Sequence, residues 1–308
     1  MTRKPRGQPV HGWLVLDKPA GMTSTQASSA VRRLFNAAKA GHAGTLDPLA
    51  TGVLPVALGE ATKTMAYVVD GTKRYRFTVR WGEARDTDDA AGKVIATNPR
   101  RPTGGEIAEA LPRFVGLIEQ SPPAFSAVHI DGERAYDLAR AGRAPELPPR
   151  QVTVLRLEFV GQPEADLAVF EVTCGKGTYV RSLARDLSAR LGTVGHVAAL
   201  RRLAVGPFTE NRAISLETLE SLRHSPAAFG HLLPVETALD DIPALALTDT
   251  EANRLRHGQP VGLFRRQDLE RIGHLESGSL VCAKHSGKLL ALTRFEAGGL
   301  RPVRILNH

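Results

Sequence analysis

The stretch GHAGTLDPLATG, residues 41–52, sets one carboxylate, Asp47, and one histidine, His42, among three glycines. Proline pushes the residue before it towards extended backbone, so Asp47-Pro48 reads as a turn or loop. Glycines admit conformations and close backbone approaches closed to other residues. A lone acid held this way serves chemistry in which one carboxylate acts as nucleophile or as base. It also serves as an ordinary turn, and the loop by itself leaves both readings open.

Other chemistries are excluded more sharply. CGKGTY, residues 174–179, lies between an apolar run and a helical one, as a phosphate loop would. That loop requires Gly, four residues, then Gly-Lys-Ser/Thr. Here Lys176 is followed by Gly177, and no glycine stands five positions before Gly175. Glycoside hydrolysis uses two carboxylates about the scissile bond, and no second acid stands in a context like that of Asp47. A serine hydrolase would carry a GxSxG elbow, which is missing. The ten histidines and two cysteines show neither HExxH nor CxxC spacing, so no metal is expected.

The elements that must hold such residues are legible in outline. GWLVLDKPAG reads as a strand that ends near Lys18. Thr23 and Gln26 form a capping-box pattern, and the helix after it carries Val31, Leu34, Phe35 and Ala38 on one face. VLPVALG follows the loop as a buried strand. KRYRFTVRWG, residues 73–82, alternates: Tyr75, Phe77, Val79 and Trp81 share one face, Arg74, Arg76, Thr78 and Arg80 the other. LAVFEVTCGKGTYVRSLARDLSARLG predicts strand, tight loop, then a helix with Val180, Leu183, Ala184, Leu187 and Leu191 inward. Residues 98–150, rich in proline, glycine and arginine, read as an excursion from the core with a helical piece near 134–141. Strands and hairpin-like pairs outnumber long crossover helices, so the fold class is α+β with a mixed or antiparallel sheet rather than a doubly wound one. From about residue 245 the texture changes to short strands, with a hairpin turn at Ser286-Gly287, and predicts a small β-barrel.

Length and composition set the frame. A chain of 308 residues holds one large domain and a small one. With 42% apolar and 23% charged residues it has the balance of a soluble globular protein. No apolar run approaches the roughly 18 residues of a membrane span. The basic start MTRKPRGQPV precedes no long apolar segment, so it reads as a disordered arm over residues 1–8 and not as a secretory signal. Cys174 and Cys282 lie in separate apolar runs, as buried thiols in a reducing, cytoplasmic setting. A net charge of +8 and a pI near 9.8 suit a polyanion such as nucleic acid.

Several of these segments together resemble the TruB family of bacterial tRNA pseudouridine-55 synthases. GHAGTLDPLATGVLPVALGEATK resembles the family's signature, WLVLDKPAGMTS its opening motif and KRYRFTVRWGEARDTDDAAG its second. SPPAFSAVHIDGERAYDLARAG resembles an RNA-gripping insertion, and CGKGTYVRSLARDLSARLG with ALRRLAVGPF the closing motifs. They run in family order over about residues 9–215, and the β-rich tail resembles a PUA-type RNA-binding domain. The resemblance implies a catalytic domain over 9–240, including the insertion at 98–150, and a PUA-like domain over 245–308. It implies isomerisation of uridine 55 in the T-loop of tRNA, without cofactor or metal. Asp47 becomes the essential acid, and Arg181 the cation that keeps it charged. Tyr75 stacks on the target uracil and shuttles the C5 proton; Tyr179 and Leu200 wall the base. His42 fills the space that the flipped base leaves, and Asp89 orients Arg181. His129 stands where the family has lysine, which weakens a phosphate contact. The partner implied is the T-arm stem-loop, with no membrane and no obligatory protein partner, the enzyme acting as a monomer. The alternative is a non-catalytic RNA-binding protein or tRNA chaperone on the same scaffold, which has no use for Asp47, Tyr75 and Arg181 together.

Overall fold

The structure, a computed structural model, describes residues 7–126, 129–130, 133–134, 138, 143, 147–223 and 225–307. The chain begins with β1 (Gly12–Lys18), α1 (Ser24–Leu34), β2 (Ala40–His42), β3 (Thr51–Leu58), α2 (Met65–Asp70) and β4 (Lys73–Trp81). A hairpin of β5 (Glu83–Arg85) and β6 (Val94–Thr97), then α3 (Gly104–Ala110), β7 (Gly116–Gln120) and the short pair β8 (His129–Ile130) and β9 (Glu133–Arg134) follow. β10 (Arg150–Glu164), β11 (Leu167–Cys174), α4 (Val180–Arg190), β12 (Gly195–Val205), β13 (Phe208–Thr209), β14 (Ile214–Ser215) and α5 (Leu216–Ser221) follow in the larger unit.

Ten of these strands form one mixed sheet, ordered β14-β1-β3-β12-β4-β11-β10-β7, with β2 on β3 and β13 on β12. β12 runs parallel to β3 and antiparallel to β4, so it joins the strand after the Asp47 loop to the strand of Tyr75. The expected α+β class with a mixed sheet is what the chain adopts. Span 98–150 gives α3 and the edge strand β7 to this architecture; most of the helical piece read near 134–141 lies outside the described residues.

The alternation in β4 buries Phe77, Val79 and Trp81 and exposes Arg74 and Arg76. Phe77 stacks on Phe170 of β11 at 5.2 Å. The capping box of Thr23 and Gln26 forms at the start of α1. That helix stops at Leu34, so Ala38 is not on its face as the spacing suggests. Asn36 takes a left-handed conformation (φ 46°), which ends a helix as glycine would. All five apolar residues expected on the inner face of α4 are buried.

The C-terminal segment is a five-stranded sheet with the strands Ala244–Ala246, Val261–Gly262, Leu280–His285, Lys288–Glu296 and Gly299–Ile305. Ser286 and Gly287 both have positive φ, as a two-residue hairpin turn requires. Two helices, Asp249–Arg256 and Arg266–Ile272, accompany it. Cys282, Leu289, Leu292 and Leu306 of this segment share one buried cluster with Trp13, Val15, Val53 and Phe208. No helix among the described residues is long and apolar enough to cross a membrane.

Candidate active site

The loop between β2 and β3 is tied down from three sides. Ser24, the first residue of α1, accepts from Leu46 N at 2.8 Å and donates to Leu46 O at 3.0 Å. Lys18, at the end of β1, is fully buried and donates to Pro19 O, Met22 O and Pro48 O. Arg202 of β12 donates to Gly44 O at 2.9 Å and to Val53 O at 2.8 Å. Gly44 has φ 83°, which favours glycine, and a Cβ there would press on the Arg202 guanidinium at 3.3 Å. The carboxylate of Asp47 is thereby set on a braced loop.

Facing it is Arg181, in the first turn of α4. Its Nε lies 3.0 Å from Asp47 Oδ2. Its Nη1 donates to Thr87 O and stands 3.8 Å from Asp89 Oδ2, and its Nη2 donates to Phe125 O. Asp89 is buried, its carboxylate held by the Thr87 hydroxyl and by Ala91 N. The helix start is fixed by Gln120, whose side chain accepts from Tyr179 N at 2.7 Å, and by Ser182, which donates to Ser121 O. The Arg181 side chain is only 6% exposed, whereas that of Asp47 is 37% exposed. The pair is therefore sealed on the arginine side and open to the cleft on the carboxylate side.

That cleft measures about 190 Å³ and is lined by Leu46, Asp47, Tyr75, Tyr179, Arg181 and Leu200, among others. Five of the six residues expected at the site thus share one wall. His42 does not: it ends β2, five residues before Asp47, and its Nδ1 is buried without a partner among the described residues. A larger cleft of about 380 Å³ in the C-terminal unit, lined by Arg256, His285 and Lys288, has no acid in its wall.

Burial pushes the Asp47 carboxyl above its ordinary value; Arg181 opposes that, and the Asp89 carboxylate adds to it. Burial likewise pushes Lys18 down to about 8, against the pull of Asp47. His42 is lowered, first by burial and then by the nearby Arg202 charge, so its imidazole is neutral at pH 7. The arrangement is one carboxylate paired with an arginine at the rim of a small cleft with aromatic and aliphatic walls. Among the described residues no cluster of His, Cys, Asp or Glu could hold a metal.

Lys18, Ser24, Gln120 and Arg202 are not singled out by the sequence. Their signal is faint: each is a polar residue within or beside an apolar run, and nothing in the order Arg201-Arg202 says which arginine turns inward. Arg201 proves to be the outer one, paired with Asp17 and Glu210.

The comparisons agree across the chain. A profile described as "TruB family pseudouridylate synthase (N terminal domain)" matches residues 32–180. One described as "tRNA pseudouridylate synthase B C-terminal domain" matches residues 181–240. Relatives named tRNA pseudouridine synthase B include one from Bradyrhizobium diazoefficiens, 59% identical over 97% of this chain and 86% of its own. Another, from Rhodospirillum rubrum, is 53% identical over the full length of both. In fold, the chain is similar to a protein in "Structure of H/ACA RNP bound to a substrate RNA containing 2'-deoxyuridine", with a TM-score of 0.72 at 22% identity, covering 100% of this chain and 92% of that one. With the profiles spanning residues 32–240 and close relatives aligned end to end, the chain belongs to the TruB family of pseudouridylate synthases.

Proposed function

We propose that the chain converts uridine 55 in the T-loop of tRNA into pseudouridine, with Asp47 as its acting carboxylate. The carrying observation is the Asp47–Arg181 pair on the wall of a cleft shared with Tyr75, Tyr179 and Leu200. The reaction breaks the C1′–N1 bond, turns the uracil, and joins C5 to C1′; C5 gives up its proton and N1 gains one. No electrons and no group are transferred in or out, so no cofactor is called for. Asp47 acts on the ribose, Arg181 keeps it ionised against burial, and Asp89 holds Arg181. Tyr75 stacks on the base and carries the C5 proton, while Tyr179 and Leu200 enclose it. The base must leave its stack to reach this cleft, at a cost of a few kcal/mol, and His42 takes the vacated place.

The same reading divides the molecule into a basic arm (1–8), a catalytic unit (9–240) whose 98–150 span grips RNA, and a PUA-like RNA-binding unit (245–308). The enzyme acts as a cytoplasmic monomer on free tRNA. His129, where the resemblance expects lysine, falls on β8.

The test is Asp47→Asn in single turnover, following tritium released from C5 of [5-³H]uridine-labelled tRNA. Turnover should vanish while tRNA binding stays nearly intact, because affinity comes from basic groups along the phosphates. A variant within about tenfold of wild type, or about 1.4 kcal/mol in barrier, removes Asp47 from the mechanism. It would favour the RNA-chaperone reading.

A further inference from the structure

Arg202 is 1% exposed, among the largest fully buried side chains of the described residues. Among the described residues no carboxylate pairs with it. Its guanidinium donates to three backbone carbonyls, those of Val53, Gly44 and, at 3.5 Å, Thr45. Tyr75 stands directly opposite it in the register of β12 and β4, close enough for its phenol to bear on the Arg202 charge. Burying a cation without an anion costs free energy, and carbonyls alone do not require a charge at this point. The placement explains the cost. Among the described strands β12 alone lies between β3 and β4, and on it Arg202 holds the Asp47 loop and stands opposite Tyr75.

We propose that Arg202 is a positioning residue for the isomerisation, locking the Tyr75 hydroxyl and the Gly44-Thr45 segment of the Asp47 loop into one frame. The inference rests on the roles given above to Asp47 and Tyr75. Guanidinium is a donor only, so in this frame the Tyr75 oxygen accepts from it and the phenol's own hydrogen stays free to donate. Arg202 thus fixes which way the phenol can donate as well as where it sits. Its charge also reaches His42 and Lys18 on the far side of the loop. One buried cation therefore biases three groups around Asp47.

The experiment is a double-mutant cycle of Arg202→Lys with Tyr75→Phe in the full-length protein. It reads single-turnover tritium release, tRNA affinity and melting temperature. Lysine keeps the charge but cannot span the carbonyls and the phenol together. Expected is a loss of about tenfold or more in single-turnover rate with tRNA affinity within about threefold, and a clearly smaller loss when Phe already stands at 75. A residue that merely fills the core would give equal losses on both backgrounds, and that result overturns the proposal. So does an unchanged rate in Arg202→Lys. If Arg202→Lys does not fold, Gly44→Ala presses on the same guanidinium from the loop side. The same cycle then reads it: a smaller loss on the Phe background supports the proposal, and equal losses overturn it. Tyr75→Phe alone separates the premises: should it turn over like wild type, the role of Tyr75 is wrong, whatever Arg202 does.

Discussion

At the scale of the residue, the site is a half-exposed carboxylate paired with a buried arginine. Burial raises Asp47 and Arg181 restrains the rise, so the acid limb of the single-turnover pH profile should lie above the ordinary carboxylate value of 3.8. Arg181→Gln removes the largest opposing influence, so the limb should move further up in pH, by about one unit or more. An unmoved limb would mean that the pair is not what keeps Asp47 ionised. Linkage fixes the sign of the stability effect. A carboxyl whose folded pKa is raised binds more protons folded than unfolded between 3.8 and its folded value. Its contribution to stability therefore falls as pH rises through that window and is a net cost above it. Asp47→Asn at pH 7 should consequently melt no lower than wild type, since the Arg181 interaction is already included in that direction. Strain kept at a working site has this signature.

At the scale of the element, three pieces of secondary structure converge on the loop, and their ends matter more than their middles. The N-terminus of α1 holds Leu46 through Ser24, and the end of β7 with the next residue holds the start of α4, Gln120 accepting from Tyr179 N and Ser121 O accepting from Ser182. Ser24→Ala would leave the buried N–H and C=O of Leu46 unpaired, at a cost of about 1–3 kcal/mol. It should lower the melting temperature and slow the chemical step more than it weakens tRNA binding, because small displacements of a reacting group are costly. If it destabilises without slowing turnover, α1 does not set the position of Asp47. The middles of these elements are legible in the sequence: the alternation in β4 and the inward stripe of α4 follow from period alone. The braces are not. Ser24 reads as the first residue of a capped helix, Lys18 as the polar end of a strand, and Arg202 as one of two arginines. Their roles depend on segments 22 to 158 residues away, which no local pattern encodes. Asp47, Tyr75 and Arg181 are found through motifs shared with a family, and their common cleft appears only once β4, α4 and the loop are folded together.

At the scale of the whole molecule, the β-rich unit that begins near residue 245 shares a buried core with the larger one. Leu289, Leu292 and Leu306 are at most 2% exposed and belong to the cluster of Trp13, Val15 and Phe208. Polar contacts reinforce the join: Lys63 donates to Ile305 O at 2.9 Å, and Asn307 N donates to Glu60 at 2.8 Å. Glu60 and Lys63 lie just after β3, so the tail end braces the strand that leads out of the Asp47 loop. Three leucines at roughly 1.5–3 kcal/mol each are a large share of the roughly 5–15 kcal/mol by which a domain is stable. A chain ended at residue 243 should therefore melt well below the full protein and bind a hydrophobic dye. Loss of activity in it would then report unfolding as much as lost RNA contact. The RNA-binding role of the tail is better tested in place. Neutralising Arg256 and Lys288, which line the 380 Å³ cleft, should keep the melting temperature and reduce the salt dependence of tRNA binding by about one phosphate contact for each charge that touches RNA. An unchanged salt slope would put the tail's contribution in the shared core alone, as a brace for β3 and not as a grip on RNA.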